Sequence, residues 1–98
     1  SLPIAQETPK DPPLSLLILM KQVGSFDIKL TGGPRHLAES FLLVDSDSLR
    51  GKLKELVGQM PELKEASLTA EPNVHYKEMI KLIEGLQKII PKTFIAGT

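Results

Sequence analysis

The chain alternates between two hydrophobic periods. Leu14 to Val23 is almost continuously apolar, as expected of a strand buried on both faces, with a short buried helix the alternative that the pattern leaves open. Gly24-Ser25 then reads as a two-residue hairpin turn with Gly first. Phe26, Ile28 and Leu30 alternate with Asp27, Lys29 and Thr31, the period-2 signature of a half-buried strand. Gly32-Gly33-Pro34 ends it; residues 32–40 read as a loop or excursion, and Phe41 to Val44 as a short strand.

The period then changes. Asp45-Ser46-Asp47-Ser48 offers helix N-caps, and Leu49, Leu53, Leu56, Val57 and Met60 follow at helical spacing up to Pro61. Ala66 to Glu71 is a further strand. Asn73 is a candidate cap for a second helix with a buried stripe of Tyr76, Met79, Ile80, Ile83, Leu86 and Ile90, stopped by Pro91. Gly85 within it suggests a close contact, since glycine costs a helix about 1 kcal/mol relative to alanine. Thr93 to Ala96 is the last strand. The helix between Ala66–Glu71 and Thr93–Ala96 is long enough to set the two strands parallel with a right-handed crossover. The predicted fold is a small two-layer α+β domain: a β-hairpin, then α-β-α-β, with both helices on one face of a mixed sheet.

Composition narrows the function. At 98 residues the chain makes one domain, and with 4% aromatic residues its core must be aliphatic. Twelve basic residues balance twelve acidic ones. That removes the electrostatic term that dominates nucleic-acid affinity, so no nucleic-acid partner is expected. The absence of cysteine excludes disulfides and thiolate metal sites. Residues 1–13, with four prolines, read as an extended linker preceding a domain at 14–98. No apolar run approaches the roughly 20 residues that span a bilayer. The chain starts at Ser1 without Met or a signal segment, and is read as part of a longer or processed protein.

No set of side chains adds up to catalysis. His36 and His75 are far apart and lack carboxylates at ligand spacing. Asp45 and Asp47 resemble the start of a calcium loop, but Leu49 and Arg50 stand where an oxygen ligand and glycine are required. Gly32-Gly33-Pro34-Arg35 lacks the Lys-Ser/Thr of a phosphate loop, and Pro34 has no N–H to offer. No serine sits in a nucleophile elbow, and Glu62 and Glu65 fall in a connecting turn. The expectation is a protein-binding domain rather than an enzyme, without cofactor or metal. A small enzyme using Arg35 on an anion is the weaker alternative.

One stretch is more specific. Ala70-Glu71-Pro72-Asn73-Val74-His75-Tyr76, followed by a helix, resembles the ExbD/TolR family, whose extracytoplasmic domains carry Ala-Asp-x-x-Val-x-Tyr between a strand and a helix. Ala70, Val74 and Tyr76 match, and Glu71 replaces the family's Asp. Leu2-Pro3-Ile4-Ala5 is similar to the Leu-Pro-x-Ala that follows the family's transmembrane helix. Two features depart from the family: residues 32–44 form an apparent insertion, and Ile90-Pro91 replaces the usual Gly.

The resemblance implies the periplasmic domain of a bacterial inner-membrane protein with a single span just before Ser1. Such proteins work beside an ExbB/TolQ-like channel subunit and pass proton-motive force to a TonB-like or TolA-like protein. The proton-carrying Asp would lie in that span. A peptidoglycan-binding domain of TolR type is the alternative. The resemblance also implies a homodimer through Thr93, Phe94, Ile95 and Ala96, consistent with the excess apolar surface of Leu14–Val23. Leu2, Pro3, Ile4 and Ala5 are expected to meet partners, with Ile4–Thr8 able to add as a strand to a free sheet edge.

Overall fold

The computed structural model describes residues 11–96. They form β1 (Ser15–Met20), β2 (Phe26–Gly32), β3 (Leu37–Leu43), α1 (Ser46–Gln59), β4 (Glu65–Ala70), α2 (Tyr76–Leu86) and β5 (Lys92–Ile95). The strands make one mixed sheet in the order β3-β2-β1-β4-β5. β1 pairs antiparallel with β2 and parallel with β4; β2–β3 is antiparallel and β4–β5 parallel.

Both helices cover one face of this sheet. Leu16 and Ile18 of β1, Phe26, Ile28 and Leu30 of β2, and Ala66 and Leu68 of β4 point into the core. Leu49, Leu53 and Leu56 of α1 and Met79, Leu82, Ile83 and Leu86 of α2 close it from above. Burying each such leucine or isoleucine stabilises the fold by about 1.5–3 kcal/mol. The two-layer α+β architecture read from the pattern is the one observed.

Four expectations need correction. Residues 32–40 are not a loop: Gly32 ends β2, a tight turn follows, and β3 runs from Leu37 to Leu43 against β2. Pro34 stands second in a turn closed by the His36 N–H to Gly33 C=O bond (3.0 Å). Gly32, Gly33 and His36 all have positive φ. The strand was hidden because Ala38, Glu39 and Ser40 break its apolar alternation, as an edge position permits.

Next, β1 is buried on one face only; Leu17 on the other is 45% exposed. The β1–β2 turn holds three residues, not two. Gly24 N–H bonds to Lys21 C=O and Lys21 N–H to Ser25 C=O (both 2.9 Å), with Gly24 at φ 89° supplying the left-handed residue.

Finally, α2 starts and stops differently. Its N-cap is His75, because Glu71–Val74 first make a turn (Val74 N–H to Glu71 C=O, 3.0 Å). It ends at Leu86, and a tighter turn carries the chain to Ile90, which is still buried. Tyr76 is exposed, Ile80 is half-buried, and Leu82 takes a place in the stripe instead. Gly85 marks no close contact: a Cβ there would meet no atom within 4 Å outside its own stretch of helix.

Asp45 caps α1 as expected, its Oδ1 accepting from Ser48 N–H at 2.8 Å. That backbone bond, then a bond from the Ser48 side chain, holds the Asp45 carboxyl below its usual range; burial opposes the shift and Arg50 assists it. A lowered folded-state pKa contributes stability above the unfolded value near 3.9, lost as pH falls through the folded value. Protection of the Ser48 amide in hydrogen exchange is therefore expected to fall with acidification below about pH 4. Asp45→Asn, which caps without titrating, should flatten that dependence.

Two glycines should respond in opposite directions. Gly85→Ala is expected to stabilise the domain by about 0.5–1 kcal/mol in urea denaturation. Gly32→Ala combines a positive φ with a Cβ driven into the Pro13 carbonyl oxygen, and should cost about 2 kcal/mol or more.

Candidate docking site

The resemblance-bearing residues cluster where β4 leaves the sheet. Ala70 ends β4, and Glu71 N–H continues the ladder to Met20 C=O (3.0 Å). The Glu71 carboxylate reaches across the sheet end and accepts from Gln22 N–H at 2.7 Å. Asn73 Nδ2 donates to Gln22 Oε1 at 3.4 Å. Glu71 thus ties the β4–α2 turn to the β1–β2 loop. Its longer arm reaches the loop that an Asp would approach less closely.

Val74 is half-buried against the core, while Tyr76, at the first turn of α2, is 65% exposed. Together with Met79, Ile95 and Ala96 these residues line a shallow surface depression of about 390 Å³, floored by Thr69 and Ala70. Two residue groups that the resemblance singled out, Ala70–Tyr76 and the end of the last strand, therefore meet at one place.

The last strand divides its work. Thr93 is buried, and its hydroxyl donates to Ile90 C=O at 2.6 Å. Its side chain is thus turned into the core and offers no contact surface, contrary to the expectation for Thr93; its main chain lies at the sheet edge. Phe94 pairs with Ser67 on the helix-free side and is 52% exposed. Ile95 and Ala96 are half-buried. Leu2, Pro3, Ile4 and Ala5, and the Ile4–Thr8 strand expectation, lie outside the described residues.

Of the two sheet edges, β3 is defended and β5 is open. Glu39 pairs with Leu30 and so points its charge towards the helix-covered face, a feature that discourages edge-to-edge pairing. β5 carries no charge between Thr93 and Ile95. The helix-free face adds Leu17, Leu19 and Leu42 around a second depression of about 530 Å³, interleaved with Asp27, Lys29, Ser40 and Thr69. Leu42, 66% exposed, fell within the short strand read at Phe41–Val44, but its place on the helix-free face follows only from the pairing of β3 with β2.

The histidines stay apart in role. His36 Nε2 lies 3.2 Å from Asp11 at the surface, and His75 caps α2 without a side-chain bond. Arg35 is exposed, and Arg50 pairs with Asp47. Among the described residues no cluster of three or more His, Asp or Glu has metal-binding geometry, and no helix is long and apolar enough to cross a membrane.

These elements define the class: a two-layer α+β domain with a five-stranded mixed sheet and a free parallel edge. No family model and no curated protein matches the chain. Among solved structures, the chain is similar to a Bacteroides thetaiotaomicron protein with an actin-like ATPase fold and unknown function. It shares 21% identity at a TM-score of 0.55, over 86% of this chain and 32% of that one. The chain thus spans about a third of that protein's length, and the likeness is one of fold alone.

Glu71→Ala should free the β1–β2 loop without unfolding the domain. The expected result is faster exchange of the Gln22 amide and a stability loss of about 1 kcal/mol, the typical net worth of one hydrogen bond. Exchange at Leu16 and Ile18, deep in β1, should be little changed.

Proposed function

We propose that the chain is the extracytoplasmic docking domain of an ExbD/TolR-type transducer. It takes up motion generated by an ExbB/TolQ-like channel subunit and passes it to a TonB-like or TolA-like protein, working as a homodimer through β5. One observation carries this reading: the resembling residues Ala70, Glu71, Val74 and Tyr76 share a surface depression with Ile95 and Ala96, beside the open edge of the sheet. Nothing about that surface requires catalysis. An edge with free main-chain groups, one exposed aromatic on each side and a shallow apolar depression suits an added polypeptide strand. The fold likeness to a protein of actin-like ATPase fold carries no activity across at 21% identity.

The test uses the full-length protein in its native cells. It should fractionate with membranes, and a photo-crosslinker replacing Tyr76 should capture a TonB-like or TolA-like chain, identified by mass spectrometry. Collapsing the proton gradient with an uncoupler should abolish or shift that crosslink. Recovery free of membranes, or crosslinking indifferent to the uncoupler, would overturn the reading. Pelleting with purified peptidoglycan, lost on changing Tyr76, would favour the cell-wall-binding alternative.

A further inference from the structure

The outward edge of β5 is not wholly free. Ala96 N–H bonds inward to Leu68 C=O at 2.9 Å. By strand alternation Phe94 also turns its main-chain groups towards β4, and Thr93 and Ile95 turn theirs outward. One outward group is occupied: Gln87 Nε2, just beyond α2, donates to Thr93 C=O at 2.9 Å. This bond joins a surface side chain to the group that a pairing strand would need.

We propose that Gln87 is the affinity-setting residue of this edge: its carboxamide masks the Thr93 carbonyl, and a second copy must displace it to pair along β5. The proposal rests on the β5 dimer put forward above. The register favours a second copy as the occupant. In an antiparallel pair with a twofold axis at Phe94, Thr93 lies opposite Ile95 of the second copy, and both turn their free groups to each other. Phe94 then faces Phe94 of the second copy in a non-hydrogen-bonded pair, where side chains approach most closely. Both rings lie on the helix-free face, where Phe94 is otherwise half exposed. Lys92 falls opposite Ala96 of the second copy, so no like charges oppose each other.

On this proposal each edge gives up its Gln87–Thr93 bond when its Thr93 carbonyl accepts Ile95 N–H from the second copy. Gln87 is thus a brake on association, present twice in a symmetric dimer. Gln87→Met keeps the side chain's length and removes the donor. If one net hydrogen bond is lost from the monomer at each edge, association should tighten about fivefold per edge, or roughly 25-fold for the pair. Ile95→Pro removes only an outward N–H, because the inward ladder uses Phe94 and Ala96, and a proline is tolerated at that kind of edge position.

The experiment is sedimentation equilibrium of the 98-residue chain, with thermal melting alongside. A dimer tightened by Gln87→Met and abolished by Ile95→Pro, with melting of the Gln87→Met monomer lowered by no more than the roughly 4–8 °C that one net hydrogen bond is worth in a domain of this size, is the expected result. A dimer abolished by Ile95→Pro but unmoved by Gln87→Met would refute the role of Gln87 while leaving the β5 dimer standing. A weaker dimer with a lowered melting temperature in Gln87→Met would show that Gln87 merely braces β5, and would also refute it. Failure of all variants to associate, or a dimer indifferent to Ile95→Pro, would overturn the dimer reading and this inference together.

Discussion

The position of β1 governs the rest of the molecule. It alone joins the antiparallel half of the sheet to the parallel half, with β2 on one side and β4 on the other. Its inward residues, Leu16 and Ile18, are fully buried beneath the helices. Because strand side chains alternate, a one-residue slip would exchange Leu16 and Ile18 for Leu17 and Leu19, which are also apolar. β1 cannot therefore set its own register. The neighbours do so: Phe26, Ile28 and Leu30 of β2 alternate strictly with polar residues. Glu71 adds a second restraint by tying the β1–β2 loop to the end of β4.

This division of labour explains what was legible in the sequence. Where one side chain set had to face the core and the other water, the pattern was unambiguous: β2, α1 with its Asp45 cap, β4 and the stripe of α2. Where that contrast fails, so does the reading. β1 is apolar on both sides, so its helix-free face was taken as buried. β3 is an edge strand and carries Ala38, Glu39 and Ser40 in its middle, a composition that resembles a loop. The Gln22–Val23–Gly24 turn and the start of α2 depend on backbone angles and local hydrogen bonds that one-dimensional periodicity does not encode. Of the docking site, the Ala70–Tyr76 stretch and the last strand were visible separately. That they share one depression, and that Gln87 touches Thr93, follow only from α2 folding back across β4 and β5.

The two edges of the sheet have been treated differently. β3 combines an inward-pointing Glu39 with a turn that packs against Pro12, Gly33 N–H bonding to Pro12 C=O at 2.8 Å. Such features make an edge a poor template for another chain. β5 is short and carries its charge only at Lys92, its first residue; along Thr93, Phe94 and Ile95 the edge is covered by one neutral side-chain bond that water can replace at small cost. An edge guarded by one reversible hydrogen bond is suited to association that has to be made and broken repeatedly.

The proposed recognition through such an edge would also account for how little chemistry the sequence displays. A catalytic or metal site must assemble several particular side chains, and these leave a signature in residue type and spacing. A strand edge binds mainly through backbone N–H and C=O groups, which every residue possesses, and asks of its side chains only a suitable alternation. The helix-free face points the same way. Its leucines are separated by Asp27, Lys29, Ser40 and Thr69, and Lys21 holds Asp27 at 3.0 Å, so charge and hydroxyl groups interrupt the apolar surface. This divided face leaves Phe94 half exposed at the margin of the sheet, beside the β5 edge. The informative feature of this domain is therefore a geometric one, the direction in which Thr93 and Ile95 turn their main-chain groups, and it becomes visible once the pairing of β4 with β5 is known.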